Sequence, residues 1–163
     1  MVPMTSLSVP IHMRFSDIDS YGHANNVVQL QYLEDARVRL SEMPIHGLEG
    51  IPEGTSFRKL TGQRLTVVGR QEVEYTAQLH YRLEPIEVKI WVSNIGGSSY
   101  VLNYHLQDHD GGTIFAMAQS TTVQIGRESG RPEALSQEQI TFLKAYSAQP
   151  VHFRRRPEHP QAH

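Results

Sequence analysis

The feature that most constrains the fold is a change of hydrophobic period along the chain. Nonpolar residues first recur every four positions and predict one long amphipathic helix from Val27 to about Met43, which Pro44 ends. The residues that define this face are Val28, Tyr32, Ala36 and Leu40. From Arg64 onward the nonpolar residues alternate with polar ones, which is typical of strands. The predicted strands are Val73–Tyr81, Ile86–Val92, Tyr100–Leu106 and Thr113–Ile125.

This order of elements predicts an α+β fold. Short connections with turn residues separate the strands, which favours antiparallel neighbours. A first strand is expected over Ile11–Phe15 and a closing helix over Ser136–Tyr146. One long helix cannot cover both faces of such a sheet, so the sheet most simply curls around it. The outer face and the edge strands then need a partner, and a homo-oligomer supplies one.

Size and composition indicate one globular domain, expected over residues 1–148, with a flexible tail over 149–163 that carries Arg154–Arg156. The formal net charge of −2 disfavours nucleic acid and anionic membranes as partners. The sequence contains no cysteine, which excludes thiol catalysis and disulfides. No nonpolar run approaches the ~20 residues that span a bilayer, and the N-terminus lacks the pattern of a signal peptide. A cytoplasmic location is therefore expected.

The connection from Pro44 to Gly62 is long for a domain of this size. Two interpretations fit it equally well: a lid over an active site, or a loop that contains one helical turn.

Polar residues whose side chains are suited to catalysis precede the long helix. The segment from Arg14 to Asn26 holds Asp17, Asp19 and His23 around Gly22. A helix N-terminus presents free backbone N–H groups and a partial positive charge. A carboxylate beside those donors is suited to attack an acyl group, because the N–H groups stabilise the oxyanion that the attack produces.

Structural interpretations of the same residues remain open. The two aspartates can serve as turn acids that bond nearby backbone N–H groups, and His23 can be a packed turn histidine. Either Asn25 or Asn26 can be the helix N-cap.

The motif and its context resemble a known family. The pattern Arg-Phe-x-Asp-x-Asp-x-x-Gly-His-x-Asn-Asn over residues 14–26, followed by the helix and an antiparallel meander, is similar to the 4-hydroxybenzoyl-CoA thioesterase-like branch of the hotdog-fold acyl-CoA thioesterases. The resemblance extends to about residue 140. It implies a hotdog fold, in which a curled antiparallel sheet wraps a central helix. It also implies hydrolysis of acyl-CoA to free acid and coenzyme A, with no metal and no cofactor.

The resemblance also implies roles for single residues. Asp19 corresponds to the catalytic carboxylate, which acts as nucleophile or as general base, and the backbone N–H of Asn26 corresponds to the oxyanion donor. His23 is expected to assist, while Asn25 and Gln29 are expected to contact the substrate. At Gln29 the family commonly carries a tyrosine, so an amide there predicts a differently shaped or more polar acyl site. Asp17 is expected to be structural.

Two other functions compete with thioester hydrolysis. A hydratase or dehydratase could act on acyl thioesters from the same scaffold, and a non-catalytic module could bind them without turnover. The acyl group, the carrier (coenzyme A or acyl carrier protein) and the order of the oligomer, dimer or tetramer, stay open from sequence.

Overall fold

A computed structural model describes residues 5–154 of the chain. Its strands form one antiparallel five-stranded sheet in the order β1-β3-β4-β5-β2. The strands are β1 (Leu7–Ile11), β2 (Leu65–Tyr75), β3 (Ile86–Ile95), β4 (Ser99–Asp108) and β5 (Ile114–Ile125). The helices are α1 (Asn26–Glu42), α2 (Phe57–Thr61) and α3 (Gln137–Ala145). The predicted α+β class is confirmed.

The long helix α1 lies on one face of the sheet, against β1, β3 and β4. The side chains that it buries repeat at three- and four-residue intervals, so they form one stripe along the helix. They are Gln29, Tyr32, Leu33, Ala36 and Leu40. The helix ends at Glu42, two residues before Pro44, as the sequence predicts.

The strand β2 differs from its prediction in position and in neighbour. Alternation in the sequence continues to Tyr81, but the strand ends at Tyr75. Beyond it the N–H groups of Thr76 and Ala77 both donate to the carbonyl of Phe115, and the side chain of Leu79 is completely buried. These contacts turn the chain out of the sheet. β2 pairs with β5 and not with β3, so the four later strands are not consecutive neighbours.

Two other predicted segments also shift. The first strand is Leu7–Ile11, which pairs with β3, whereas Phe15–Asp17 forms a single 3₁₀ turn and not the end of a strand. The Pro44–Gly62 connection contains α2 and buries Ile45, Ile51 and Phe57 in the main core. That packing favours the interpretation of a loop with one helical turn over that of a lid.

The end of the described chain covers the outer face of the sheet. The indole N–H of Trp91 on β3 donates to the carbonyl of Gln149 at 2.8 Å. The N–H of Val151 donates to Asn103 Oδ1 on β4 at 2.9 Å. Val151 and Phe153 are buried against Trp91 and Met117 in a second hydrophobic cluster. The first part of the segment for which a flexible tail is expected thus packs on the sheet, and the rest of it, including Arg155 and Arg156, lies outside the described residues.

Removing the Phe153 ring should destabilise the protein measurably. We expect Phe153→Ala to lower the free energy of unfolding by about 3 kcal/mol, because the change removes a buried aromatic ring and leaves a cavity. Urea unfolding followed by circular dichroism measures the loss. Leu83→Ala is the control, since Leu83 is 81% exposed, and its expected effect is within ~0.5 kcal/mol. Equal stabilities of the Phe153 variant and the wild type would contradict this account of the C-terminal segment.

No helix among residues 5–154 combines the length and nonpolar character that crossing a membrane requires.

Candidate active site

A buried carboxylate anchors the loop that precedes α1. The Asp17 side chain is 3% exposed and accepts hydrogen bonds from the Tyr32 hydroxyl at 2.6 Å and the Arg14 N–H at 2.9 Å. The Arg14 guanidinium lies 3.3 Å from its other oxygen. Burial by itself raises the pKa of Asp17, but these bonds and the guanidinium hold it below its usual value. Asp17 therefore ties the loop to the first half of α1, in line with the expected structural role.

The segment between Asp17 and the helix forms a tight hairpin turn that carries Asp19 and His23. Ile18 and Ala24 form an isolated antiparallel bridge. Inside it, the Asp19 N–H donates to the His23 carbonyl at 3.0 Å, and the Gly22 N–H donates to the Asp19 carbonyl at 3.1 Å. Gly22 has φ +85°, a conformation that favours glycine over residues with a Cβ. The glycine at this point of the motif thus has a direct structural cause.

One oxygen of Asp19 has a local role. Its Oδ1 accepts the N–H of Tyr21 at 2.9 Å, which is an Asx turn, so the turn-acid interpretation holds for that atom. Within residues 5–154 this carboxylate makes no other hydrogen bond or ion pair, and the side chain is partly exposed. Oδ2 is therefore available to a water molecule or a substrate.

The first turn of α1 leaves backbone donors unused. Asn25 is the N-cap: its Oδ1 accepts the N–H of Val27 at 2.8 Å, and its carbonyl accepts that of Gln29 at 3.1 Å. Within the described part of the chain, the N–H groups of Asn26 and Val28 have no acceptor. Because the Asn25 side chain accepts the N–H of Val27, the N–H of Asn26, which is the expected oxyanion donor, stays free. The N–H of Val28 is a second free donor, which was not expected from the sequence.

An open cleft of about 310 Å³ lies beside this helix end. His23, Asn26 and Gln29 line one side of it, and Tyr75–Leu79 line the other. The N–H of Ala24 donates to the Leu79 carbonyl at 2.8 Å, which holds the two sides together. The second wall is not evident from the sequence, because those residues follow the motif by about fifty positions and their alternating pattern predicts a strand. The Asp19 side chain is not among the groups that line this cleft; it lies on the adjoining turn.

Two side chains complete the surroundings of the cleft. The ring of His23 contacts that of His80 edge to face, with centroids 4.9 Å apart, so the predicted assisting histidine is also held by packing. The Tyr75 hydroxyl donates to the Asn26 carbonyl at 3.3 Å, and burial raises the pKa of Tyr75. The hydroxyl is therefore protonated at neutral pH and steadies the first turn of the helix.

Gln29 is buried in the same wall. Its Nε2 donates to the Ala24 carbonyl at 3.2 Å, whereas its Oε1 is buried with no hydrogen-bond partner among the described residues. Among residues 5–154, no three His, Cys, Asp or Glu side chains come together in a group that could hold a metal ion.

Comparison with known proteins places the chain in a family. A family model described as the thioesterase-like superfamily matches residues 13–153. The chain is 28% identical over 138 residues to the uncharacterized protein YsmA of Bacillus subtilis (strain 168), with 82% of each sequence covered.

Solved structures show the same architecture. A predicted thioesterase from Bacillus stearothermophilus superimposes with a TM-score of 0.72 at 23% identity, covering 90% of this chain and 99% of that one. A thioesterase from Thermus thermophilus, solved with coenzyme A and Zn, gives a TM-score of 0.67 at 25% identity and covers 93% of this chain and 100% of that one. The predicted hotdog fold and the predicted enzyme class, thioester hydrolase, are thereby confirmed. The chain belongs to the thioesterase-like superfamily.

Proposed function

We propose that the protein hydrolyses acyl-CoA thioesters to free acid and coenzyme A at the N-terminus of α1. The observation that carries the proposal is the unused N–H of Asn26, which opens the helix beside a cleft while Asp19 keeps one carboxylate oxygen free on the adjoining turn. The coenzyme A in the Thermus thermophilus structure supports the choice of carrier.

The reaction needs a nucleophile and a place for negative charge. In the general-base route, Asp19 takes a proton from water as the water oxygen bonds to the acyl carbon, and the carbonyl electrons move to its oxygen. The N–H groups of Asn26 and Val28 donate to that oxyanion. When the intermediate collapses, the C–S bond breaks and the proton passes from Asp19 to the thiolate of coenzyme A. In the nucleophilic route, Asp19 attacks the acyl carbon and the C–S bond breaks, so that coenzyme A leaves as its thiolate and an anhydride joins Asp19 to the acyl group. Water then hydrolyses the anhydride, which releases the free acid, restores the Asp19 carboxylate and supplies the proton that the thiolate takes up.

The helix end suits this charge for a physical reason. Its dipole and its unpaired N–H groups stabilise an anion without having to reorganise, and loss of one such donor typically costs about 3–4 kcal/mol in the transition state. His23 and Asn26 line the cleft together, so an acyl carbonyl bound there meets both. We assign to His23 the positioning of that carbonyl or of the attacking water, and to Asn25 and Gln29 contact with the substrate.

The test is release of thiol from a panel of aliphatic and aromatic acyl-CoA esters by the purified full-length protein. We expect thiol trapping to report turnover well above background with at least one ester. The same protein is assayed for hydration of an enoyl-CoA and for binding of a non-hydrolysable thioether analogue. Hydration without hydrolysis would replace the proposal with a hydratase, and binding without thiol release would replace it with an acyl-thioester-binding module. Esters of acyl carrier protein in the same panel identify the carrier.

The proposed assembly is a homodimer that covers the inner face of β2. The helix α1 packs over β1, β3 and β4, which leaves the neighbouring part of the sheet beside it open. On that part Val68 is 40% exposed, and Val38 of α1, which lines the same cavity as Val68, is 52% exposed. β2 is also an edge strand of 11 residues, and such a long free edge invites pairing with another chain. A second copy related by a two-fold axis covers the exposed face and pairs with the free edge of β2.

This assembly makes a prediction at Val68. We expect Val68→Asp to convert the dimer to a monomer in light scattering after size-exclusion chromatography, because it places a charge in a nonpolar contact. The matched control is Val67→Asp: Val67 is 39% exposed on the same strand but points to the opposite face, and we expect that variant to stay dimeric. A dimer that persists in Val68→Asp would contradict this choice of interface.

A further inference from the structure

The unpartnered oxygen of Gln29 has a fixed chemical identity. The Ala24 carbonyl can only accept a hydrogen bond, so the Gln29 atom that faces it at 3.2 Å must be the amide nitrogen. The other atom is then the oxygen, which is a pure acceptor. It is buried, and no donor within residues 5–154 reaches it.

The position of Gln29 Oε1 suggests that this unpaired acceptor binds a ligand. Gln29 is 5% exposed on the buried face of α1, where its neighbours along the stripe are largely nonpolar. A leucine or methionine would pack there without burying an unpaired polar atom, which is a rare and costly feature of native proteins. Gln29 is also part of the cleft wall, next to the free N–H groups of the helix start.

The chemistry of the thioester limits what the oxygen can bind. A thioester carbonyl is itself an acceptor and belongs with the N–H of Asn26. The donor must therefore come from elsewhere in the acyl group. Gln29 follows Asn26 by three residues, which is ~4.5 Å along a helix axis. A hydroxyl on the third or fourth carbon of an acyl chain lies at about that distance from its carbonyl oxygen. A small rotation of the terminal amide, whose torsion has a broad energy minimum, opens the oxygen to this hydroxyl while the nitrogen still donates to the Ala24 carbonyl.

Resting on the proposed hydrolysis of acyl-CoA, we propose that Gln29 is a specificity-determining residue that selects acyl groups with a hydroxyl on the third or fourth carbon. The hydroxyl donates to Gln29 Oε1 while the thioester oxygen accepts from Asn26. A chain that lacks the hydroxyl binds in the same cleft but leaves the amide oxygen unsatisfied. Discrimination then arises because a site built to accept a hydrogen bond rejects the analogue without the donor.

The test compares two substrates that differ by one oxygen atom, 3-hydroxybutyryl-CoA and butyryl-CoA, in the wild type and in Gln29→Met. Methionine keeps the volume of the side chain and removes the acceptor. In the wild type we expect kcat/KM to favour the hydroxylated ester by ~10–100-fold, which corresponds to the cost of leaving one buried acceptor unpaired. In Gln29→Met the preference should fall to near one, whatever the substitution does to the rate on both esters. Each enantiomer is assayed separately, since a single acceptor favours one of them.

The outcomes separate this inference from the function on which it rests. Thiol release from both esters with a wild-type preference near one would overturn the inference and leave the hydrolase standing. An equal loss on both esters in Gln29→Met would overturn it too, and would assign the amide to the attacking water or to the structure of the helix end. No thiol release from any ester would overturn the proposed function and the inference together. Because the wild-type ratio needs no variant, the inference stays testable even if Gln29→Met fails to fold.

Discussion

Asp19→Asn is expected to lower kcat/KM for acyl-CoA hydrolysis at least ~100-fold while the protein stays folded, by the usual scale for a positioned catalytic group. The side chain keeps its size, and the amide oxygen of asparagine can still accept the N–H of Tyr21, so the turn persists. What disappears is the negative charge that attacks the acyl carbon or takes a proton from water. Steady-state thiol release measures the loss, and a thermal melt verifies the fold.

The chain offers a closely matched control for this substitution. Asp110 also forms an Asx turn, accepting the N–H of Gly112 at 2.8 Å, but it lies in the β4–β5 hairpin and outside the candidate site. Asp110→Asn makes the same chemical change in the same kind of turn. We expect its kcat/KM to equal that of the wild type. Similar losses in the two variants, or unchanged turnover in Asp19→Asn, would remove Asp19 from the mechanism.

Tyr32→Phe should weaken both the fold and the site, because it removes the hydroxyl that donates to the buried Asp17 carboxylate at 2.6 Å. A hydrogen bond to a charged group contributes roughly 1.5–3 kcal/mol, so we expect the free energy of unfolding at pH 7 to fall by about that amount. Asp17 anchors the loop that also carries Asp19. We therefore expect kcat to fall as well, because the weaker anchor positions Asp19 less firmly. Tyr21→Phe is the control, since Tyr21 is 84% exposed and its hydroxyl has no hydrogen-bond partner among residues 5–154.

The Tyr32–Asp17 hydrogen bond makes the difference in unfolding free energy between the wild type and Tyr32→Phe depend on pH. The pKa of Asp17 is lower in the folded protein than in the unfolded chain, so its contribution is complete above the unfolded value of ~3.9 and is lost as the pH falls through the folded value. Urea unfolding of the wild type and of Tyr32→Phe should therefore differ by a constant amount between about pH 5 and 7. The difference should shrink below about pH 4. A difference that grows toward acid pH would contradict the assignment of the Tyr32–Asp17 bond.

The parts of the fold that the sequence predicted well are those set by local chemistry. The helix α1 follows from its nonpolar period, and its N-cap is Asn25, one of the two asparagines between which the sequence left the choice open. The closing helix α3 lies within the predicted range, directly after its cap Ser136. The hairpins β3–β4 and β4–β5 follow from alternation with turn residues between the strands. Each of these is decided within a few residues along the chain.

The parts that were missed depend on contacts between distant segments. Alternation to Tyr81 predicts a longer β2, but the buried Leu79 and its bond to Ala24 draw that stretch away from the sheet and into the wall of the cleft. The composition of the C-terminal segment predicts a tail, yet Val151 and Phe153 find an apolar partner in Trp91, which only the folded sheet presents. The free oxygen of Gln29 is likewise visible only once the partner of its nitrogen is known.

A crystal structure of Asp19→Asn with an intact acyl-CoA bound is the most direct test of the account, because the variant should bind the ester without hydrolysing it. We expect the acyl carbonyl oxygen at ~2.7–3.1 Å from the N–H nitrogen of Asn26, with the side chain at position 19 facing the acyl carbon. This expectation would be contradicted by an acyl group seated elsewhere, for example in the cavity that Arg37, Phe57 and Tyr100 line near the far end of α1. A side chain at position 19 turned away from a thioester at the helix start would contradict it equally.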